Sequence, residues 1–298
     1  MEWIIFVFLA ALFWMSCNIF SKILLSRHVK NAVVYAVLVG FAGLITLTLI
    51  PFNGLSMPSL PILALTMLTG ALYIYAMLPY FMSLMIEEVS RVMPLWKLKP
   101  LFVLLFAVAF LGESLNTFQL IAFFLLLFGG FMISVRRIEG VFKISRAFSL
   151  MMLSSVIFGA YHTLTKFVYM NMAYYDGFIL LRVGSFLGAA SLLALPRHRK
   201  ALSEALNSMG WKVKGAVAGY ELLNLGGLAF FNYAVSVGPV SLVTAAIGIQ
   251  PVLLLITASL LSSRYPGLLK ESMSRGAIIQ KTLAVILLVV GAGIVVLY

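Results

Sequence analysis

Charged residues are scarce in this sequence: they make up 10% of its 298 positions, against 63% hydrophobic residues. Soluble domains carry about 25% charged and about 45–50% apolar residues. A water-soluble fold has no means of hiding so much apolar surface, so the bilayer is read as the solvent. Acidic residues are scarcer still, 9 against 21 basic, and the net charge is +12. On a soluble chain that balance would suggest nucleic acid. Here the basic residues sit mostly between hydrophobic runs, which points to membrane orientation and anionic lipid headgroups and away from nucleic acid. The single cysteine, Cys17, rules out an intrachain disulfide, and Cys/His spacing of metal-site type is missing. Of three histidines, His28 and His198 fall in loops, which leaves too little for an intramembrane lipid enzyme with clustered His, Asp or Ser groups at one depth. A phosphate-binding glycine loop ending in Lys-Ser or Lys-Thr is also missing, so ATP hydrolysis and a nucleotide cofactor are not expected.

What the chain has is long hydrophobic runs. Windows of about 19 residues pick out Trp3 to Leu25, Asn31 to Ile50, Leu60 to Met82, Val89 to Phe110 and Thr117 to Val135. They continue with Phe148 to Tyr169, Gly177 to Leu195, Gly215 to Val235, Val240 to Leu261 and Ala277 to Leu297. The expected fold is an all-α integral membrane protein of about ten transmembrane helices joined by short loops. The longest polar connector, Pro196 to Lys214, holds a stretch from Ala201 to Met209 expected to form a short surface helix.

Basic residues crowd the odd-numbered loops and their edges, among them Arg27, Lys30, Arg91, Arg136, Arg137, Arg197, Lys200 and Arg264, and the even loops hold none. By the positive-inside rule the odd loops are cytoplasmic and both termini lie outside a cell membrane crossed many times. The first run begins at Trp3 with no basic segment before it, so a retained span is expected rather than a cleaved leader.

The two halves resemble each other. Tyr80-Phe81-Met82-Ser83 aligns with Phe231-Asn232-Tyr233-Ala234, Val89-Ser90 with Val240-Ser241, and Pro100 with Pro251. Phe20-Ser21-Lys22 resembles Leu164-Thr165-Lys166, and Leu127-Phe128-Gly129 resembles Val289-Val290-Gly291. The expected units are residues 1–138 and 147–298, each of five spans. An odd number of spans makes the second copy enter the membrane from the opposite side, the inverted-repeat plan of many secondary transporters.

In that plan the sequence resembles the drug/metabolite transporter superfamily, in particular its ten-helix EamA-type members. The resemblance rests on the duplicated five-span plan and on three local features. These are Trp14 followed by Lys22, Pro100 followed by Phe110-Leu111-Gly112-Glu113, and the glycines Gly129-Gly130 and Gly291-Ala292-Gly293. It implies a central cavity lined largely by the third, fourth, eighth and ninth spans, and movement of small metabolites, often amino acids. Two features depart from the family. Bacterial members usually look as if both termini are cytoplasmic, and the second copy has Ser262-Ser263 where an acid would match Glu113.

Charges inside the hydrocarbon carry the site reading, because each costs at least about 2.5–3.5 kcal/mol at a helix centre. Lys97 and Lys99 fall near the middle of the fourth span and point about 200° apart on an ideal helix. Both reach one cavity only if the helix is broken, and Pro100 is placed to break it. They are read either as ligands for a carboxylate or phosphate, with a desolvated lysine also able to couple transport to protons, or as a buried pair with a structural acidic partner. Gln250 beside Pro251 is the repeat counterpart of Lys99 beside Pro100. Glu221, with Asn224 one turn on, is read as a lysine partner, a proton carrier, a ligand for a substrate amine, or a salt bridge at the cytoplasmic boundary. Trp96, Tyr73, Tyr75, Tyr80, Asn232 and Tyr233 are candidate wall residues or packing. Arg182, Lys22, Lys166 and Lys281 read as interfacial anchors, His162 as a hydrogen-bonded packing residue, and Glu113, just before the fifth span, as having a helix-start or loop-fixing role.

These readings point to a secondary transporter of small anionic, zwitterionic or amino-acid-like solutes, with membrane lipids and a coupling ion such as the proton as partners, working by alternating access. A flippase for a lipid-linked anionic headgroup is the second reading, and an intramembrane lipid enzyme a distant third.

Overall fold

The computed structural model describes residues 2–24, 31–87, 94–135, 145–250, 252–253 and 275–297, and every regular element among them is helical. In chain order these are α1 (Trp3–Leu24), α2 (Ala32–Ala42), α3 (Leu60–Ile86), α4 (Lys99–Leu111) and α5 (Thr117–Ser134). There follow α6 (Arg146–Asn171), α7 (Tyr174–Leu192), α8 (Pro196–Ser208), α9 (Trp211–Val237), α10 (Val240–Ala246) and α11 (Arg275–Leu297). The α2 helix runs on through a 3₁₀ stretch, Gly43–Leu49, and a last turn, Ile50–Asn53.

Helix ends follow local chemistry. Asn31 starts α2 by accepting from the amides of Val33 and Val34, at 2.9 and 3.4 Å. Asn116 and Gln119 form a reciprocal capping box at the start of α5. Gly112 closes α4 with a φ of 65°, a left-handed conformation that an L side chain resists. Pro196 opens α8 from its first turn, where its missing N–H removes no helical bond, so the surface helix starts earlier than the sequence suggested. The α8 helix turns 105° from α7, its basic residues Arg197, Arg199 and Lys200 near its start.

Five helices among the described residues are long and apolar enough to cross a membrane, or six if α7 and α8 count as one bent span. That is fewer than the ten expected. Trp3–Cys17, Thr117–Met132 and Val240–Ile249 are apolar but shorter, and α9 carries Lys212, Lys214 and Glu221 within its length. The outer surface is nonetheless apolar: Leu60, Phe110 and Leu297 are each at least 75% exposed, as suits side chains that face lipid tails.

The helices pack across the two halves of the chain. α1 lies along α9, α3 along α6 and α7, α4 along α6 and α10, α5 along α11, and α2 along α7. α3 lies tightly against α7. A Cβ on Gly184 would meet the backbone of Met67, and one on Gly188 would meet Ala71. The Gly184/Gly188 pair therefore serves packing inside the bundle, where small residues let helices approach.

Candidate functional site

The fourth span, Pro94–Leu111, tightens where the two lysines lie: Pro94, Leu95 and Trp96 form a helical turn, Lys97 and Leu98 a hydrogen-bonded turn, and α4 begins at Lys99. The amides of Lys97, Leu98 and Leu101 donate to Pro94, Leu95 and Leu98, bonds of three-residue reach at 3.0–3.1 Å. Pro100, in the first turn of α4, has no N–H to lose. The tightened turn brings both lysines to one cavity of about 20 Å³, shared with Trp96, Pro100, Gly130 and Thr244. That is room for about one water. In the ninth span α10 gives way to a 3₁₀ turn, Ile247–Ile249, at the offset that pairs Pro100 with Pro251, and Gly248 of that turn lines the same cavity. Gln250 follows it, half-buried; Pro251 lies outside the described residues.

Aromatic rings surround Lys99. Its Nζ lies 4.6 Å from the centre of the Trp96 ring and 5.4 Å from that of Phe158. Trp96 meets Phe158 edge-on at 4.7 Å and Tyr80 at 4.5 Å. A cation facing ring π-clouds gains part of what it loses on leaving water. Among the described residues no carboxylate is paired with either lysine.

Glu221 lies elsewhere in the same interior. It is buried on α9 and accepts from Asn224 Nδ2 at 3.4 Å, and Asn224 Oδ1 accepts from Trp14 Nε1 at 3.2 Å. From there a run of ring contacts leads to the lysines. Trp14 packs on Phe231 at 5.4 Å, Phe231 on His162 at 5.2 Å, and His162 stacks on Phe158 at 5.9 Å, the ring beneath Lys99. Glu221 makes no ion pair with Lys97 or Lys99; the acid and the bases stand at two ends of an aromatic centre.

Other candidates are used within the bundle. Asn232 donates to Leu228 O at 2.8 Å and accepts from Tyr169 OH at 2.9 Å, tying α6 to α9. Tyr233 packs on Phe6 and Tyr174. Tyr75 is 41% exposed and shares a hydrogen bond with Ser191.

Three basic or acidic groups differ from expectation. Arg182 is not an interfacial anchor: it is 2% exposed, because close glycine-mediated packing against α3 draws α7 inward. Its guanidinium lies 4.8 Å from the Tyr73 ring centre, Nη2 donates to Tyr161 OH at 2.9 Å, and Nε has no partner. Lys166 does not snorkel either. It donates to the carbonyls of Val235, Ser236 and Gly238 at 2.9–3.1 Å, closing the C-terminus of α9. Glu113 caps α10 rather than α5, accepting from the amides of Val240 and Ser241 at 3.0 and 3.1 Å. His162 packs among rings as expected, yet neither ring nitrogen has a hydrogen-bond partner. The side chain of Lys22 lies outside the described residues.

A helical bundle with an apolar outer surface and charges buried at its centre defines a multi-pass membrane protein. Residues 1–135 match the model of the EamA-like transporter family, a match consistent with the drug/metabolite transporter superfamily. The whole fold is similar to that of a protein of known crystal structure, with a TM-score of 0.71 at 18% identity, over 99% of this chain and 96% of that one. No curated protein matches the chain.

Proposed function

We propose that this protein is a secondary transporter carrying small anionic or zwitterionic solutes by alternating access, with the anionic group received at Lys97 and Lys99. The observation that carries this reading is the tightened turn of the fourth span, where both lysines line one cavity together with Gly248 of the 3₁₀ turn in the ninth. Trp96 and Tyr80 shape the lysine end; Glu221 and Asn224 supply the opposite end, for a proton or an amine. Gln250 follows the 3₁₀ turn of the ninth span.

Part of the packing supports two five-span units, residues 1–138 and 147–298. The first span packs on the eighth and the third on the sixth, while the second, fourth and fifth pack on their own counterparts. This is the pattern a pair of exchanged repeats produces.

A thermal-stability screen of wild type and Lys99→Gln tests the reading. Ligands that bind only the native state raise the melting point in a dose-dependent way. Organic acids, amino acids or phosphorylated metabolites are expected to stabilise wild type and not the variant. Stabilisation by lipid-linked headgroups alone would favour a flippase. Stabilisation of both proteins by cations would remove the lysines from the site.

A further inference from the structure

Polar atoms without a partner gather on one face of α6. Ser155 Oγ, both ring nitrogens of His162 and Thr165 Oγ1 are buried with no hydrogen-bond partner. On an ideal helix these three residues and Phe158 fall within an arc of about 80°. Their neighbours are satisfied: Ser154 donates to Ala76 O at 2.8 Å and Thr163 to Gly159 O at 3.0 Å. The deficit is therefore a property of one stripe, not of the helix. Buried polar groups are nearly always hydrogen-bonded, and leaving several unpaired side by side is costly. A carrier has a reason to keep them: a second state in which they are bonded to water and to the solute.

The surroundings fit. α6 is enclosed by α3, α4 and α9. His162 sits between Phe158, Tyr161 and Phe231 at 4.9–5.9 Å, and Phe158 is the ring beneath Lys99. The stripe thus runs beside the cationic end of the proposed site. Hydroxyls and a neutral imidazole each both donate and accept.

We propose that the α6 face formed by Ser155, Phe158, His162 and Thr165 is a wall of the translocation path, closed in this conformation, and that it selects small anions bearing hydroxyl or amino groups. This rests on the transporter reading, and it adds the sixth span to the four that the family resemblance implies.

Thiol accessibility tests it. Ser155→Cys, His162→Cys and Thr165→Cys are each made in a Cys17→Ala background, in full-length protein in proteoliposomes. They are treated with a charged, membrane-impermeant methanethiosulfonate. Leu153→Cys, on the outward face of α6, and Trp211→Cys, 87% exposed, are the controls. Loss of free thiol is expected in the stripe variants and Trp211→Cys but not in Leu153→Cys. Modification of Trp211→Cys alone overturns the proposal. Ser155→Cys and Thr165→Cys are near-isosteric and decide the matter even if His162→Cys fails to fold. Glycerate and serine are expected to slow the modification and butyrate not to; equal protection by butyrate overturns the solute class. Uptake by wild type with an unreactive stripe leaves the carrier reading standing and moves the path elsewhere. A reactive stripe in a protein that carries no solute keeps the hydrated path and removes the carrier.

Discussion

Glu113 and Lys166 hold the same turn from its two sides. The carboxylate takes the first amides of α10, at Val240 and Ser241, while the ammonium takes the carbonyls of Val235 and Ser236 in the last turn of α9 and of Gly238 just beyond it. Each charge meets the helix end of opposite partial charge. Replacing either by alanine is expected to cost about 1–2 kcal/mol by loss of a cap. The double variant should cost less than the sum, because both act on one turn. Denaturation in detergent measures all three; strict additivity would show that the two residues act separately.

Arg182 and Tyr161 make a second testable pair. Tyr161→Phe removes the oxygen that Nη2 uses and leaves another guanidinium hydrogen unpaired, at an expected cost of about 1–3 kcal/mol. Arg182→Met removes a buried charge that has no acid beside it, so its melting point is expected near or above that of wild type. A large loss in Arg182→Met would mean that stacking on Tyr73 holds α7 in place.

Glu221→Gln is expected to fold as well as wild type, since the amide still accepts from Asn224 and an unpaired buried carboxylate is removed. Uptake of a solute found by the stability screen, measured at several external pH values, should lose its pH dependence in this variant. An unchanged pH profile would exclude Glu221 as the proton carrier and favour it as a ligand for an amine.

Orientation is tested by fusion. With odd-numbered loops cytoplasmic, a C-terminal reporter active only in the cytoplasm is expected to stay silent. A bright reporter would reverse the orientation read from Arg27, Arg91, Arg136 and the other loop charges.

Features set by neighbouring residues are legible in the amino-acid order alone. Pro100 marks the tightened turn at Lys97, and Asn116 with Gln119 marks the start of α5, because a missing N–H or a capping oxygen acts within one turn. Features set by distant segments are not. Glu113 reaches an amide 127 positions away, and nothing near it names that partner. Arg182 looks like any interfacial arginine until α3 is seen pressed against Gly184 and Gly188. The unpaired stripe on α6 is hidden for a similar reason. Ser155, His162 and Thr165 are ordinary helix residues, and only the packing of α9 and α4 shows that nothing answers them.

The 20 Å³ space between Lys97, Lys99 and Gly248 also bears on what this protein withholds. A pore left open between loads would short-circuit the membrane potential, worth about 2.3 kcal/mol per charge at 100 mV. Among the described residues the space beside the two lysines holds about one water, so a larger solute passes that point only if the helices there part.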